Sequence, residues 1–473
     1  MDIINLAFDF GASSGRLMMS RFDGRTIKLE EVYRFPNEPV WFNGRYYWDF
    51  LRLFHEMKVG LKKAVQMDAK IAGIGTDTWG VDYAFLDKTG HILSNPIHYR
   101  DERGKGMLNE IEKDTSVDFD EIYKITGIQN MNINSMYQLY YDIKYRSHIV
   151  ENAESLLFIP DLFSYALTGK KYSEYTIAST SQMLDARKKD WARELLEKIN
   201  LPVRLLQPII EPGRVWGNLK KEIQDEVGLP SIPVIAVGSH DTASAVAATP
   251  LNSKNSAYLS CGTWSLLGME LDKPIIDKDS YSYNFTNEGG VEGKIRYLKN
   301  ITGLWIIQQL RKKWLHFNPD IDFKEISRIA KESTCDYMIE PNHEYFVSPF
   351  DMEDAVIKYC EEKLNKRPET IGEIARASYN GIVTEYKKAV KAIEKTCGKT
   401  IDCINMVGGG IQDEFLCQLT ANVTGKPVAA GPAEASVLGN ILMQLKALNY
   451  IENLDQGRKI VKDSFEIKEY ESK

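Results

Sequence analysis

The chain is poor in cysteine and histidine, with six and seven among 473 residues. None of them falls into C-x-x-C or H-x-x-x-H, so no zinc site is expected. No cysteine precedes Cys261, and the pattern reads as reduced thiols rather than a disulfide framework. No stretch approaches the roughly 18 apolar residues of a membrane span. The opening, MDIINLAFDFGASSGR, has no basic region ahead of a long apolar run. A secretory signal is therefore not expected, and the expected compartment is the cytoplasm. The N-x-[ST] sequons at Asn284, Asn300 and Asn422 are then chance matches. Walker A (G-x-x-x-x-G-K-[ST]) and G-x-G-x-x-G are both missing, which disfavours a P-loop NTPase and a dinucleotide-dependent dehydrogenase. Basic charge is not in excess: the net charge is −7. That balance argues against a nucleic-acid or anionic-membrane partner, though a local basic pocket for phosphate remains open.

What is present is ordinary globular composition, 43% hydrophobic and 26% charged. The length suggests roughly two to four domains, or two large ones. Ile3–Phe10 is nearly continuous apolar sequence, followed by a Gly/Ser turn and a second apolar run from Leu17 to Phe22. That pattern predicts a β-hairpin. Thr26–Phe35 reads as a third strand. Phe50, Phe54, Met57, Leu61 and Val65 share one face of a helix. Ile71–Asp77 and Val81–Leu86 read as strands, giving a β-β-β-α-β opening. Ile232–Val237 is another strand, running into Gly-Ser-His-Asp-Thr-Ala-Ser. The polar stretch Thr249–Ser256 marks a domain boundary. After it, Ala257–Ser260, Cys261-Gly262-Thr263 and Trp264–Leu271 repeat the strand–glycine–small polar–strand plan of the N-terminus. Late in the chain, Ile404–Val407 runs into Gly408-Gly409-Gly410 and a helix with Phe415, Leu419 and Val423 on one face. Strand, glycines and helix is a common nucleotide-binding arrangement.

Three segments could carry chemistry. Asp9 to Arg16 ends a strand in a carboxylate, then offers backbone N–H groups, two hydroxyls and a guanidinium. Those donors suit phosphate oxygens, and Asp9 suits Mg²⁺. An ordinary hairpin with a polar turn explains the same residues. Gly11, Ser13 and Gly15 also match G-x-S-x-G, but a nucleophile elbow needs a strand-to-helix turn and this segment returns as a strand. Asp241 lies just past a strand at the head of a small-residue helix. A carboxylate there could take a proton from a substrate hydroxyl, but by position alone a helix cap is the stronger reading. Asp77-Thr78-Trp79-Gly80-Val81-Asp82 sets two carboxylates and an indole around a glycine. It could approach a polyol closely, or be a turn with Trp79 in the core.

Taken in order, these segments resemble the FGGY carbohydrate kinases. The matching stretches include DFGASSGR (Asp9–Arg16), GTDTWGVDYAFLD (Gly75–Asp87), HYRDERG (His98–Gly104) and EYTIASTSQ (Glu174–Gln182). They continue with SHDTASAV (Ser239–Val246), YLSCGTWSLLG (Tyr258–Gly268), LKNITGLWIIQ (Leu298–Gln308) and VGGGIQDEFLCQLTANVTG (Val407–Gly425). The resemblance implies an α/β protein of two actin-like ATPase domains, each ribonuclease H-like, with a cleft between them. The sugar-side domain would span 1–246 and the nucleotide-side domain 247–473. It implies transfer of the ATP γ-phosphate, with Mg²⁺, to the C1 hydroxyl of a small ketose. The motif forms favour L-rhamnulose, with L-fuculose or L-ribulose as alternatives. A non-catalytic actin-like nucleotide sensor is a further alternative.

Residue by residue, Asp241 matches the family's proton acceptor. Gly80, His240, Thr242 and Asn300 match ketose contacts. Ala12, Ser13, Ser14, Gly15 and Arg16 match the phosphate-facing hairpin, and Thr263 the second phosphate turn. Gln308 and Gly409 match adenosine-side contacts, and Asp9 the magnesium-associated carboxylate. One departure is Cys261, where close relatives usually carry serine.

Overall fold

The computed structural model describes residues 2–68, 70–347 and 349–473. Two compact units emerge. Unit 1 comprises Met1–Ala248, Leu271–Tyr297 and Ser436–Ser464, and unit 2 the remaining segments. The chain first leaves unit 1 at the polar stretch read as a boundary. The two later returns to unit 1 have no counterpart in a single division of the sequence.

Unit 1 is built on the strands β1 (Ile3–Phe10), β2 (Ser14–Phe22), β3 (Ile27–Pro36), β4 (Ile71–Thr78), β5 (Arg214–Asn218) and β6 (Pro233–Ala236). They form one sheet in the order β5-β6-β4-β1-β2-β3. β1, β4 and β6 are mutually parallel, while β2 and β3 return antiparallel. The three parallel strands therefore end on the same side of the sheet, where ligand sites of α/β proteins usually lie. β3 is an edge strand, and it carries Lys28, Glu30, Glu31 and Arg34. Charges there discourage pairing with another chain.

Helix α1 (Phe50–Met67) is capped by Asp49, whose carboxylate accepts from the Arg52 N–H. Its buried side differs from the expected stripe. Phe54 and Val65 are only half-buried, whereas Leu53, Gly60 and Ala64 are buried with Phe50, Met57 and Leu61. Gly60 is the reason: a Cβ there would already lie 3.2 Å from Leu17 and 3.4 Å from Phe8. The helix settles on its smallest residue, and the seam rotates with it. A second apolar core, from Tyr83 to Leu205, sits beside the sheet core of the same unit.

Unit 2 repeats the plan. β7 (Ala257–Cys261) and β8 (Trp264–Leu271) form an antiparallel hairpin. β7 is parallel to β10 (Ile404–Val407), and β10 to β11 (Val428–Ala430). With β9 (Ile295–Thr302) and β12 (Lys468–Tyr470) they make six of the seven strands of one sheet, in the order β9-β8-β7-β10-β11-β12, the seventh being Thr286–Gly289 beside β9. The pairing of hairpin and parallel strand matches β1, β2 and β4, so the faint sequence repeat is a topological one. Among the described residues, no helix is long and apolar enough to cross a membrane.

Candidate functional site

In unit 1 the strand ends bring three carboxylates together. Asp9 and Asp77 are register partners on β1 and β4. The next residue, Thr78, pairs with His240, and its N–H donates to the Ser239 carbonyl at 2.9 Å. Asp241 follows as the first residue of helix α2 (Asp241–Ala248). Its Oδ1 accepts from the Thr242 N–H at 2.5 Å and from the Thr242 hydroxyl at 3.1 Å. The His240 carbonyl accepts from Ala243 and Ser244, so the helix cap is His240. Asp241 is thereby left partly open, with 32% of its side chain exposed. Burial and the nearby Asp9 charge push its pKa up, against the pull of His240 and Thr242. Asp77 is fully buried, and burial followed by the Asp9 charge drives its carboxyl well above the ordinary range. Asn440 donates to Asp77 Oδ2 at 2.6 Å.

The hairpin turn beside them is tightly specified. The Gly11 N–H donates to the Ser14 carbonyl at 2.9 Å, and the Asn37 amide donates to the Gly11 carbonyl at 2.8 Å. Ala12, Ser13 and Ser14 keep some exposure, while Gly15 is buried. Gly15 admits no side chain, because a Cβ would stand 2.3 Å from the Phe35 ring. Arg16 folds back on Asp9, with Nε at 3.0 Å and Nη2 at 2.8 Å from Oδ2.

The Trp79 segment resolves differently from a plain strand. Only Tyr83–Leu86 is strand. Val81 has φ 67, a left-handed conformation that a β-branched residue adopts under strain. The Thr180 hydroxyl accepts from the Val81 N–H at 3.2 Å and the Ser135 hydroxyl donates to its carbonyl at 2.6 Å. The bend lets Asp82 collect donors from both sides. Its Oδ2 accepts from Trp48 Nε1 at 2.6 Å, Trp79 Nε1 at 3.0 Å and the Tyr99 N–H at 3.1 Å. Burial raises Asp82 to about 6. The Trp79 indole is thus a buried brace of the turn. Gly80 faces His240: a Cβ there would lie 3.4 Å from Nε2 and 3.4 Å from the Thr180 hydroxyl.

His240 is held from two directions. Its N–H donates to the Thr176 hydroxyl at 3.2 Å, and the Ser239 N–H donates to Glu174 Oε2 at 3.1 Å. Buried Glu174 also accepts from Thr176 and Ile177, and burial raises it to about 7. On the ring side, Arg296 Nη2 lies 3.1 Å from His240 Nδ1 and 2.9 Å from Glu288 Oε2. Burial alone would raise Glu288, but Arg296 and His240 outweigh it and hold the carboxyl low. Glu174, Glu288, Arg296 and Trp48 carry no role in the sequence reading. Glu174 stood in a motif without a spacing to single it out. Glu288 and Arg296 arrive from far along the chain, and no local pattern signals them.

Unit 2 holds the remaining candidates. The Cys261–Thr263 turn is fastened to the helix α3 (Trp305–Trp314): the Leu304 N–H donates to the Gly262 carbonyl and the Trp305 N–H to that of Thr263, both at 3.1 Å. The Thr263 hydroxyl donates to Gln308 Oε1 at 3.3 Å, bringing two candidates together. Asn300 lies on β9 in the same unit, whereas Gly80, His240 and Thr242 lie in unit 1. Gly408 has φ 87 and passes over Cys261, and Gly409 faces open space. Cys261 is buried against Gly410, where a Cβ would come within 2.4 Å of its sulfur. Burial raises that thiol to about 11.

Family models for the FGGY family of carbohydrate kinases match this chain along most of its length. The N-terminal domain model covers residues 4–247 and the C-terminal domain model residues 257–448. The chain belongs to that family. Its similarity runs to rhamnulokinases: 39% identity to that of Bacteroides thetaiotaomicron, over 98% of this chain and 95% of the relative. That of Oceanobacillus iheyensis is 37% identical over 99% and 98%, and that of Halalkalibacterium halodurans 39% over 99% and 98%. Among solved structures, gluconate kinase from Lactobacillus acidophilus matches the fold with a TM-score of 0.83 at 18% identity, over 100% of this chain and 94% of its own. Glycerol kinase from Plasmodium falciparum with ADP gives 0.80 at 17%, over 100% and 94%. The protein is a carbohydrate kinase of two α/β units.

Proposed function

We propose that this kinase transfers the γ-phosphate of ATP to the C1 hydroxyl of L-rhamnulose, with Asp241 as general base. The observation that carries the reading is the placement of Asp241. It is a partly exposed carboxylate at the head of α2, beside the ends of two parallel strands. The likeness to rhamnulokinases supports the choice of ketose. Gly80, His240, Thr242 and Asn300 would contact the sugar. Ala12, Ser13, Ser14, Gly15 and Arg16 would face the phosphates together with Thr263. Gln308 and Gly409 would face the adenosine. The sugar side would be residues 1–246 and the nucleotide side 247–473, although Leu271–Tyr297 and Ser436–Ser464 pack with unit 1.

The ketose hydroxyl gives its proton to Asp241 as its oxygen bonds to the γ-phosphorus and the bond to ADP breaks. Phosphoryl transfer needs little covalent help, so alignment and charge neutralisation supply most of the acceleration. Mg²⁺ would enter with ATP and neutralise phosphate charge. Asp9 offers a hard oxygen for it, directly or through water. Among the described residues no group of three or more His, Cys, Asp or Glu could cage a metal. A single carboxylate such as Asp9 would suit an ion that keeps water and phosphate ligands.

The test is a coupled ADP-release assay over a panel of ketoses. Turnover is expected to be greatest, by kcat/KM, with L-rhamnulose. Preference for L-fuculose or L-ribulose would reassign the substrate. ATP binding without turnover of any ketose would favour a nucleotide sensor.

A further inference from the structure

The returning segment Leu271–Tyr297 delivers a buried ion pair to the back of His240, and nothing in the proton-transfer step uses it. Arg296 is 0% exposed, yet its guanidinium is not simply neutralised by Glu288. It faces three groups, one of them as an ion pair. Nη2 lies 2.9 Å from Glu288 Oε2 and 3.1 Å from His240 Nδ1, and Nε donates to the Gly289 carbonyl at 2.8 Å. Gly289 is itself fixed: its N–H donates to the Ser179 hydroxyl at 2.7 Å. A side chain at 289 would run into the Tyr175 ring, with a Cβ 2.6 Å away. The same short helix, Tyr175–Ser179, carries Thr176, which holds the His240 N–H. Backbone and ring of His240 are therefore referred to one support.

The contact fixes a tautomer. A guanidinium has donors and no acceptor. At 3.1 Å from Arg296, Nδ1 must offer its lone pair, because a proton there would set two N–H groups against each other. Glu288 would favour a proton on Nδ1, but it lies farther, at 3.4 Å. The proton of neutral His240 then sits on Nε2, the nitrogen beside Gly80. We propose that Arg296, anchored by Glu288, is a positioning residue that holds His240 as the Nε2–H tautomer, so that the ring donates a hydrogen bond to a ketose hydroxyl beside Gly80. This rests on the reading of His240 as a sugar contact. It assigns specificity to a charge pair that touches no substrate.

The experiment pairs ¹⁵N NMR of the histidine rings, with His240 assigned by loss of its signals in His240→Ala, with steady-state kinetics. In the full-length wild type the His240 proton is expected on Nε2. In Arg296→Met, Glu288 is left facing Nδ1, and the proton is expected to move to Nδ1. The KM for the ketose should then rise about tenfold or more, with the KM for ATP unchanged and kcat within about threefold. A general packing defect would lower kcat and disturb both KM values. Glu288→Gln keeps the Arg296 donor and should keep the Nε2–H form. A wild-type proton on Nδ1 would overturn the proposal, and that measurement needs no variant to fold. A folded Arg296→Met that retains Nε2–H would overturn it too. A moved proton with an unchanged ketose KM would overturn the role in sugar binding. Wild type that turns over no ketose would instead remove the kinase reading, and the NMR result would still decide whether Arg296 sets the tautomer.

Discussion

The proposed general base, Asp241, would work only when ionised, and its surroundings oppose ionisation. Burial and the Asp9 charge raise its pKa. Two consequences follow with opposite signs. Activity needs the anion, so kcat/KM should fall as pH drops through this raised value. The acid limb is expected above the ordinary carboxylate pKa of about 3.9. A profile flat to pH 4 would speak against the assignment. Stability runs the other way. A carboxyl whose folded pKa is raised contributes most below its unfolded pKa, and that contribution is lost as pH rises through the folded value. Asp241→Asn, which keeps an acceptor for the Thr242 N–H, should therefore melt higher than wild type at pH 8. The difference should shrink toward pH 4, as calorimetry at the two pH values would register. Asp241 could be singled out in the sequence because it follows a strand and opens a small-residue helix, but only the ordered family motifs set a base role above a helix cap. Glu288 and Arg296 could not be singled out, since their meaning lies in a contact with a histidine more than forty residues earlier in the chain.

The elements that hold the site are packed around small residues. α2 reads Asp-Thr-Ala-Ser-Ala-Val-Ala-Ala because another helix, α4 (Ala435–Ala447), crosses it at Gly439. A Cβ on Gly439 would stand 1.8 Å from the Ser244 carbonyl oxygen. Gly439→Ala should push the two helices apart at Ser244, one turn from Asp241. Overpacking of this sort costs about 1–3 kcal/mol or more. We expect a lower melting temperature and a drop in kcat, and a variant of wild-type activity and stability would refute the crossing. The hairpin, the first strands and α1 could be read from periodicity alone. The face of α1 could not, because Gly60 draws the helix down and no periodicity marks a glycine as the contact point. Likewise Val81 alternates like a strand residue, yet the donors gathered by Asp82 bend the chain there.

At the scale of the whole molecule, the two units divide the candidate residues. Gly80 and Thr263 offer matched probes. A methyl on Gly80 meets only ordinary contacts, at 3.4 Å from His240 Nε2, so Gly80→Ala should fold and yet obstruct that nitrogen. Thr263→Val removes a hydroxyl bonded to Gln308. Gly80→Ala should raise the ketose KM about tenfold and leave that for ATP alone, and Thr263→Val the reverse. Equal effects of either variant on both substrates would contradict the division. The repeated hairpin and parallel strand were faintly visible in the sequence. The returns of Leu271–Tyr297 and Ser436–Ser464 to unit 1 were not, since local pattern does not encode which core a strand or helix joins. The central claim is that Asp241 takes the proton from the ketose. It is tested most directly by the kinetics of Asp241→Asn with saturating ATP and L-rhamnulose, alongside calorimetric binding of each. The account predicts near-normal binding and a kcat lower by about 10²–10⁴-fold. A normal kcat, with any loss confined to KM, would contradict it.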